Sequence, residues 1–198
     1  MNLPNKLTLL RIILVPVFVA LLLLTQIPHS FLWCLIVFII ASVTDLLDGK
    51  IARRNNQITD FGKFADPLAD KILVMAAFAC FVQLGIMGAV PLIIVLFREF
   101  AVTSVRLVAA SKGNVVSANI WGKAKTVSQI VAIVAVILLQ YIIQLITLDV
   151  IPLPNGLPDI KVLVYIIDQI LIWITVLLTL VSGFIYLKDN KECFKAAK

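Results

Sequence analysis

Six long apolar runs, at roughly residues 7–26, 31–50, 67–87, 90–110, 122–147 and 162–187, fill most of the chain, and polar residues gather in the short stretches between them. About 20 mainly apolar residues suffice for a helix to cross a bilayer. The pattern therefore predicts an all-α integral membrane protein with six transmembrane helices. The separators carry turn-forming residues: His29 and Ser30, Gly85 to Gly88, Lys112 to Asn114, and Pro152 to Asp159. There is no internal repeat or low-complexity tract, so residues 1–198 are read as one membrane domain. The first run lacks a basic region, short apolar core and small-residue cleavage site, so it is expected to be a retained helix.

Composition strengthens this reading. Of 198 residues, 62% are hydrophobic and 14% charged, and mean hydropathy is +1.08, outside the range of ordinary soluble domains. A net charge of +6 would suggest nucleic-acid binding in a soluble protein, but the placement of the charges argues otherwise. With six spans, the N-terminus, residues 50–66, residues 111–125 and the C-terminal tail share one side. Every Lys and Arg except Lys161 lies on or toward that side, so the positive-inside rule predicts that both termini and both charged loops are cytoplasmic. No nucleic-acid partner is needed to explain the charge. Lys188, Lys191, Lys195 and Lys198 are placed to meet anionic membrane lipids. Cys34, Cys80 and Cys193 have no C-x-x-C spacing, which supports neither a disulfide framework nor a zinc site.

Between the second and third runs lie Asp45-Leu-Leu-Asp48-Gly49-Lys-Ile-Ala52-Arg53, eight further residues, and Gly62-Lys-Phe-Ala-Asp66-Pro-Leu-Ala-Asp70. Helical positions three or four apart share a face, so Asp45 pairs with Asp48 and Asp66 with Asp70. The short connection turns the two pairs toward each other. At 1.5 Å per residue, Asp45 lies roughly 20 Å along a helix starting near Phe31, just inside the cytoplasmic leaflet. A charge at the centre of a bilayer costs about 2.5–3.5 kcal/mol, and converging carboxylates repel one another. Such a cluster favours cations. Hard divalent ions take oxygen ligands and are often shared with substrate phosphates, and two such ions can clamp the attacking and leaving oxygens of a phosphoryl transfer. Structural readings stand beside this one. Asp66 before Pro67 fits a helix start, Asp45 fits a snorkelling end residue, and Gly49, Ala52 and Gly62 fit close helix packing.

The string from Asp45 to Asp70 resembles the signature of the CDP-alcohol phosphotransferase family, D-x-x-D-G-x-x-A-R, eight residues, then G-x-x-x-D-x-x-x-D. The resemblance implies a six-helix membrane fold, commonly homodimeric. It also implies Mg²⁺ or Mn²⁺, of which the four aspartates have the donors for two ions, and transfer of a substituted phosphoryl group from a CDP-linked donor to an alcohol with release of CMP. By the same resemblance Asp45, Asp48 and Asp66 are metal ligands, and Asp70 both contacts metal and acts as general base. Gly49, Ala52, Arg53 and Gly62 then shape the nucleotide site. The base role has a physical reason too, since an alcohol is a poor nucleophile until a positioned carboxylate accepts its proton.

The runs Asn2-Leu-Pro-Asn5-Lys-Leu-Thr8-Leu-Leu-Arg11, Arg98-Glu99-Phe-Ala-Val-Thr-Ser-Val-Arg106 and Gly122-Lys123-Ala-Lys125-Thr126 are similar to members that use CDP-diacylglycerol and glycerol 3-phosphate. This likeness weakens after about residue 135 and implies a bacterial cytoplasmic-membrane enzyme with its site on the cytoplasmic face. A phosphorylated acceptor calls for basic residues, and the candidates are Arg11, Arg98, Arg106, Lys123 and Lys125. Arg98 lies deep enough to need a cavity or a carboxylate partner, whereas Arg11, Lys123 and Lys125 also fit snorkelling positions. Asn5 and Thr8 either orient the nucleotide or cap the first helix. Asp168, in the outer part of the sixth run, is read as structural or oligomeric. Competing readings are a family member with phosphatidylglycerol or another alcohol as acceptor, and an ion-coupled transporter. The transporter predicts charge near the midplane, whereas here it gathers at one face.

Overall fold

In a computed structural model of the chain, the described residues are 3–54, 60–111, 120–151 and 159–189, with side chains described over 7–44, 71–109, 120–151 and 159–189. They form α-helices α1 (Leu3–Leu23), α2 (Ser30–Arg54), α3 (Asp60–Gln83), α4 (Ala89–Ser111), α5 (Ile120–Thr147) and α6 (Ile160–Asp189). No strand occurs among the described residues. Each helix covers most of one apolar run, but the ends of α2 and α3 differ from the hydropathy pattern. α2 continues to Arg54 instead of stopping at 50, and α3 begins at Asp60 instead of 67. Asp, Lys and Arg end an apolar run without ending a helix, so hydropathy alone misses these polar turns. Asp66 and Pro67 therefore lie about two turns inside α3, and the reading of Asp66 as a helix start is corrected.

Each helix turns a stripe with spacing of three and four toward its neighbours. α1 buries Thr8, Arg11, Val15, Phe18 and Leu22; α2 buries Cys34, Phe38 and Ala41; α3 buries Leu73, Ala77 and Phe81. α4 buries Val95, Glu99, Val102 and Ala109; α5 buries Lys125, Gln129, Ala132 and Val136. α6 presents the most polar stripe, with Asp168, Thr175, Thr179 and Ser182. The outward faces are more apolar than these interiors. Phe97 is 74% and Phe184 72% exposed, and Ile170, Trp173 and Leu177 are exposed with them. Polar groups inside and large apolar groups outside suit a hydrocarbon solvent. α5 and α6 are each long and apolar enough to cross a membrane.

α1 packs chiefly on α2 and α3, α5 on α2 and α6, and α4 on α6. The main core joins Phe18, Phe38, Phe78 and Phe81 with Ile133, Ile137 and Ile172. Polar ties fix one end of the bundle. Gln144 Nε2 donates to Ile27 O at 3.2 Å and Ser30 Oγ at 3.1 Å, His29 Nδ1 is hydrogen-bonded to Tyr141 OH at 3.0 Å, and Gln169 Nε2 donates to Ile86 O at 2.6 Å. α3 ends at Gln83 and is capped by Gly85, whose φ of 72° allows Ile86 N to reach Phe81 O at 2.9 Å and Gly85 N to reach Val82 O at 3.1 Å. This left-handed cap satisfies carbonyls that the helix end would otherwise orphan.

Candidate active site

With the α1–α2, α3–α4 and α5–α6 connections at the tied end, the start of α1, the end of α2 and the start of α3 lie toward the other end. Asp45 and Asp48 lie in the last three turns of α2, and Asp66 and Asp70 in the first three turns of α3. Their side chains, with those of Asn5, Gly49, Ala52, Arg53 and Gly62, lie outside the described residues. The described residues alone contain no group of three or more His, Cys, Asp or Glu able to hold a metal. The four aspartates supply only hard oxygen donors, which fit Mg²⁺ or Mn²⁺ rather than a soft metal.

Toward this end three charged side chains share one contact. Arg98 Nη1 donates to Glu99 Oε1 at 2.8 Å, and Lys125 Nζ donates to the same oxygen at 2.5 Å. Arg98 Nη2 donates to Ser182 Oγ at 2.6 Å, which ties α4 to α6. Glu99 is 7% and Lys125 4% exposed. Burial alone would disfavour the Glu99 carboxylate, and two cations on one of its oxygens offset that cost. The carboxylate partner expected for Arg98 is thus its own chain neighbour. Adjacent helical residues project about 100° apart, so the guanidinium must fold back along α4 to reach it. It has room to do so because α6 carries Gly183 there. The arrangement also draws Lys125 inward, away from the snorkelling position.

The other basic candidates are distributed around this cluster. Arg11, 1% exposed on α1, lines a cavity of about 250 Å³ whose wall includes Phe38, Ser42, Leu73 and Thr126. Thr126 follows Lys125, so α5 separates the cavity from the ion cluster by one step around its axis. Thr8, one turn from Arg11, is buried beside it. Arg106 is exposed and takes a different partner, with Nε donating to Tyr186 OH at 3.3 Å and the guanidinium 5.4 Å from the ring centroid. Lys123 is exposed on the first turn of α5. Arg98 and Lys125 are therefore brought together, Arg11 lies across α5 from them, and Arg106 sits apart against Tyr186. Asp168 is fully buried in the opposite half of α6, where its Oδ2 accepts from Gln140 Nε2 at 2.8 Å.

Glu99, Ser182 and Gly183 were not among the sequence candidates. A carboxylate next to an arginine inside an apolar run was the available signal for Glu99. Nothing local marks Ser182 or Gly183, since their role depends on which helix packs against α4. Chemically, Arg98, with an Nε that has no hydrogen-bond partner among the described residues and lying toward the end that carries the acidic motif, can grip a phosphate.

The chain belongs to the CDP-alcohol phosphatidyltransferase family, which it matches over residues 1–181. It is similar to proteins named CDP-diacylglycerol–glycerol-3-phosphate 3-phosphatidyltransferase. One from Bacillus subtilis (strain 168) is 41% identical over 207 aligned positions, covering 99% of this chain and 98% of the relative. One from Rickettsia typhi (strain ATCC VR-144 / Wilmington) is 34% identical, covering 98% and 99%. A third, from Haemophilus influenzae (strain ATCC 51907 / DSM 11121 / KW20 / Rd), is 37% identical, covering 74% and 88%. The family is one of transferases, generally metal-dependent, and the apolar α5 and α6 make this member a membrane protein.

Proposed function

We propose that the protein transfers the phosphatidyl group of CDP-diacylglycerol to glycerol 3-phosphate, releasing CMP, in the bacterial cytoplasmic membrane. The observation that carries this reading is the pairing of partly buried Arg98 and buried Lys125 on Glu99. Cations held inside an apolar bundle suit an acceptor that brings its own phosphate, whereas a neutral alcohol does not require them. The names of the relatives agree with it.

In this reading Asp45, Asp48, Asp66 and Asp70 hold Mg²⁺ or Mn²⁺, two ions, which supply charge neutralisation at the pyrophosphate. The register of the inner stripes supports the assignment: 34, 38 and 41 on α2 continue at 45 and 48, and 77 and 73 on α3 continue back at 70 and 66. Asp70 accepts the proton of the acceptor hydroxyl. The hydroxyl oxygen bonds to the phosphatidyl phosphorus as the bond to the CMP oxygen breaks. Asn5, Thr8, Gly49, Ala52, Arg53 and Gly62 bind the nucleotide end of the donor; of the basic candidates Arg98 and Lys125 grip the acceptor phosphate, while Arg11, Arg106 and Lys123, set apart from them, add positive potential around it. All six helices span the membrane with both termini in the cytoplasm, the site opens at the cytoplasmic leaflet, and two copies form a homodimer.

A panel of acceptors tests this function. Purified protein with Mg²⁺ and CDP-diacylglycerol is offered glycerol 3-phosphate, phosphatidylglycerol, serine or inositol phosphate, and lipid product is measured. Product with glycerol 3-phosphate is expected. Product only with another alcohol would overturn the assignment.

A further inference from the structure

Binding an acceptor phosphate requires cations, and Glu99 is an anion at the centre of the cations proposed to do it. We infer that Glu99 is a positioning residue, fixing Arg98 and Lys125 as a preformed pair that matches a phosphorylated acceptor. The inference rests on the transfer to glycerol 3-phosphate proposed above.

Four features of the cluster support this role. Both cations donate to one oxygen, Glu99 Oε1, at 2.8 and 2.5 Å, so their nitrogens can be no further apart than these two bonds laid end to end. Without the carboxylate, two like charges in a buried site would repel, and the Lys125 stem could swing its ammonium to water. Arg98 is also held from its far side by Ser182 Oγ at 2.6 Å and Gly183 beneath its stem, so Glu99 is the link that carries this fixed guanidinium across to α5. Finally, donor capacity remains after Glu99 and Ser182 are served. Arg98 Nε is buried with no hydrogen-bond partner among the described residues, and each Nη retains a second N–H. Arg98 thus keeps donors to spare, held by bonds that form before any ligand arrives. Preset donors of this kind favour binding because little reorganisation is left to be done.

The test is steady-state kinetics of E99Q and E99D in lipid-containing micelles, titrating each substrate separately. E99Q is expected to raise KM for glycerol 3-phosphate about tenfold or more while KM for CDP-diacylglycerol stays within about twofold. E99D keeps the charge but is one methylene short, and is expected to raise the acceptor KM less than E99Q. A merely structural role would instead move both KM values together, or lower the amount of active enzyme while leaving both KM values at wild type, and either result in a folded variant overturns the inference. If E99Q does not fold, E99D decides alone: an acceptor KM equal to wild type overturns the inference, and a selective rise upholds it. Wild-type protein that makes no lipid product from glycerol 3-phosphate would defeat the functional reading itself. Active wild type with unchanged acceptor KM in both variants would defeat only the role of Glu99.

Discussion

Arg98 lies directly over Gly183: a methyl group added to Gly183 would sit 3.0 Å from Arg98 Cγ. That contact is tighter than carbon atoms tolerate without movement, and the atom that must move belongs to the stem carrying the guanidinium. Gly183→Ala is therefore expected to shift Arg98 by a few tenths of an ångström and raise KM for glycerol 3-phosphate by roughly three- to tenfold. Gly183→Val should do more. Acceptor titrations of both variants check this, and wild-type values in both would show that Arg98 is not held for binding.

Arg98→Ala and Lys125→Met each remove one cation from Glu99 while leaving the other. Each is expected to raise the acceptor KM at least about tenfold and to destabilise the fold by about 1–3 kcal/mol, because a buried carboxylate loses a charged donor. Thermal unfolding in detergent and separate substrate titrations measure the two effects. Arg106→Ala, removing a side chain that rests on Tyr186 at the exposed edge, should have the smaller kinetic effect.

Asp168 is fully buried, and its Oδ1 has no hydrogen-bond partner among the described residues. Asp168→Asn can still accept from Gln140 and removes an acid from an apolar setting. The variant is expected to keep its activity and to unfold at the same or a higher temperature. A loss of activity beyond about tenfold, with the fold intact, would place Asp168 in the reaction.

Asp70→Asn should leave expression and unfolding temperature near wild type while lowering turnover by about 10²–10⁴, the range for loss of a general base. Chelation should abolish wild-type activity, and Mg²⁺ or Mn²⁺ should restore it. Retained turnover in the variant would remove Asp70 as the base.

The fold was legible where a residue's own chemistry decides its place. Long apolar runs marked the six helices among the described residues, of which α5 and α6 are long and apolar enough to cross a membrane, because bilayer-scale hydrophobicity needs no knowledge of neighbours. Gly85 likewise marked the turn that its positive φ makes. The ends of α2 and α3 were not legible from hydropathy, because Lys50, Arg53 and Arg54 and then Asp60, Lys63 and Asp66 interrupt the apolar pattern without ending the helices. At the site, the carboxylate need of Arg98 could be foreseen from the cost of burying a cation. That Glu99 serves Lys125 as well depends on long side chains of α4 and α5 reaching each other, and Gly183 acquires its role only because α6 crosses Arg98. Pairwise helix packing of this kind leaves no local mark in the sequence.

The most direct measurement follows both products in one reaction. Purified protein is incubated with Mg²⁺, CDP-diacylglycerol and labelled glycerol 3-phosphate, and label entering the lipid phase is counted against CMP released. One labelled lipid per CMP is expected, with neither formed when the acceptor is omitted. CMP release without label in the lipid, or no release with this acceptor, would contradict transfer to glycerol 3-phosphate.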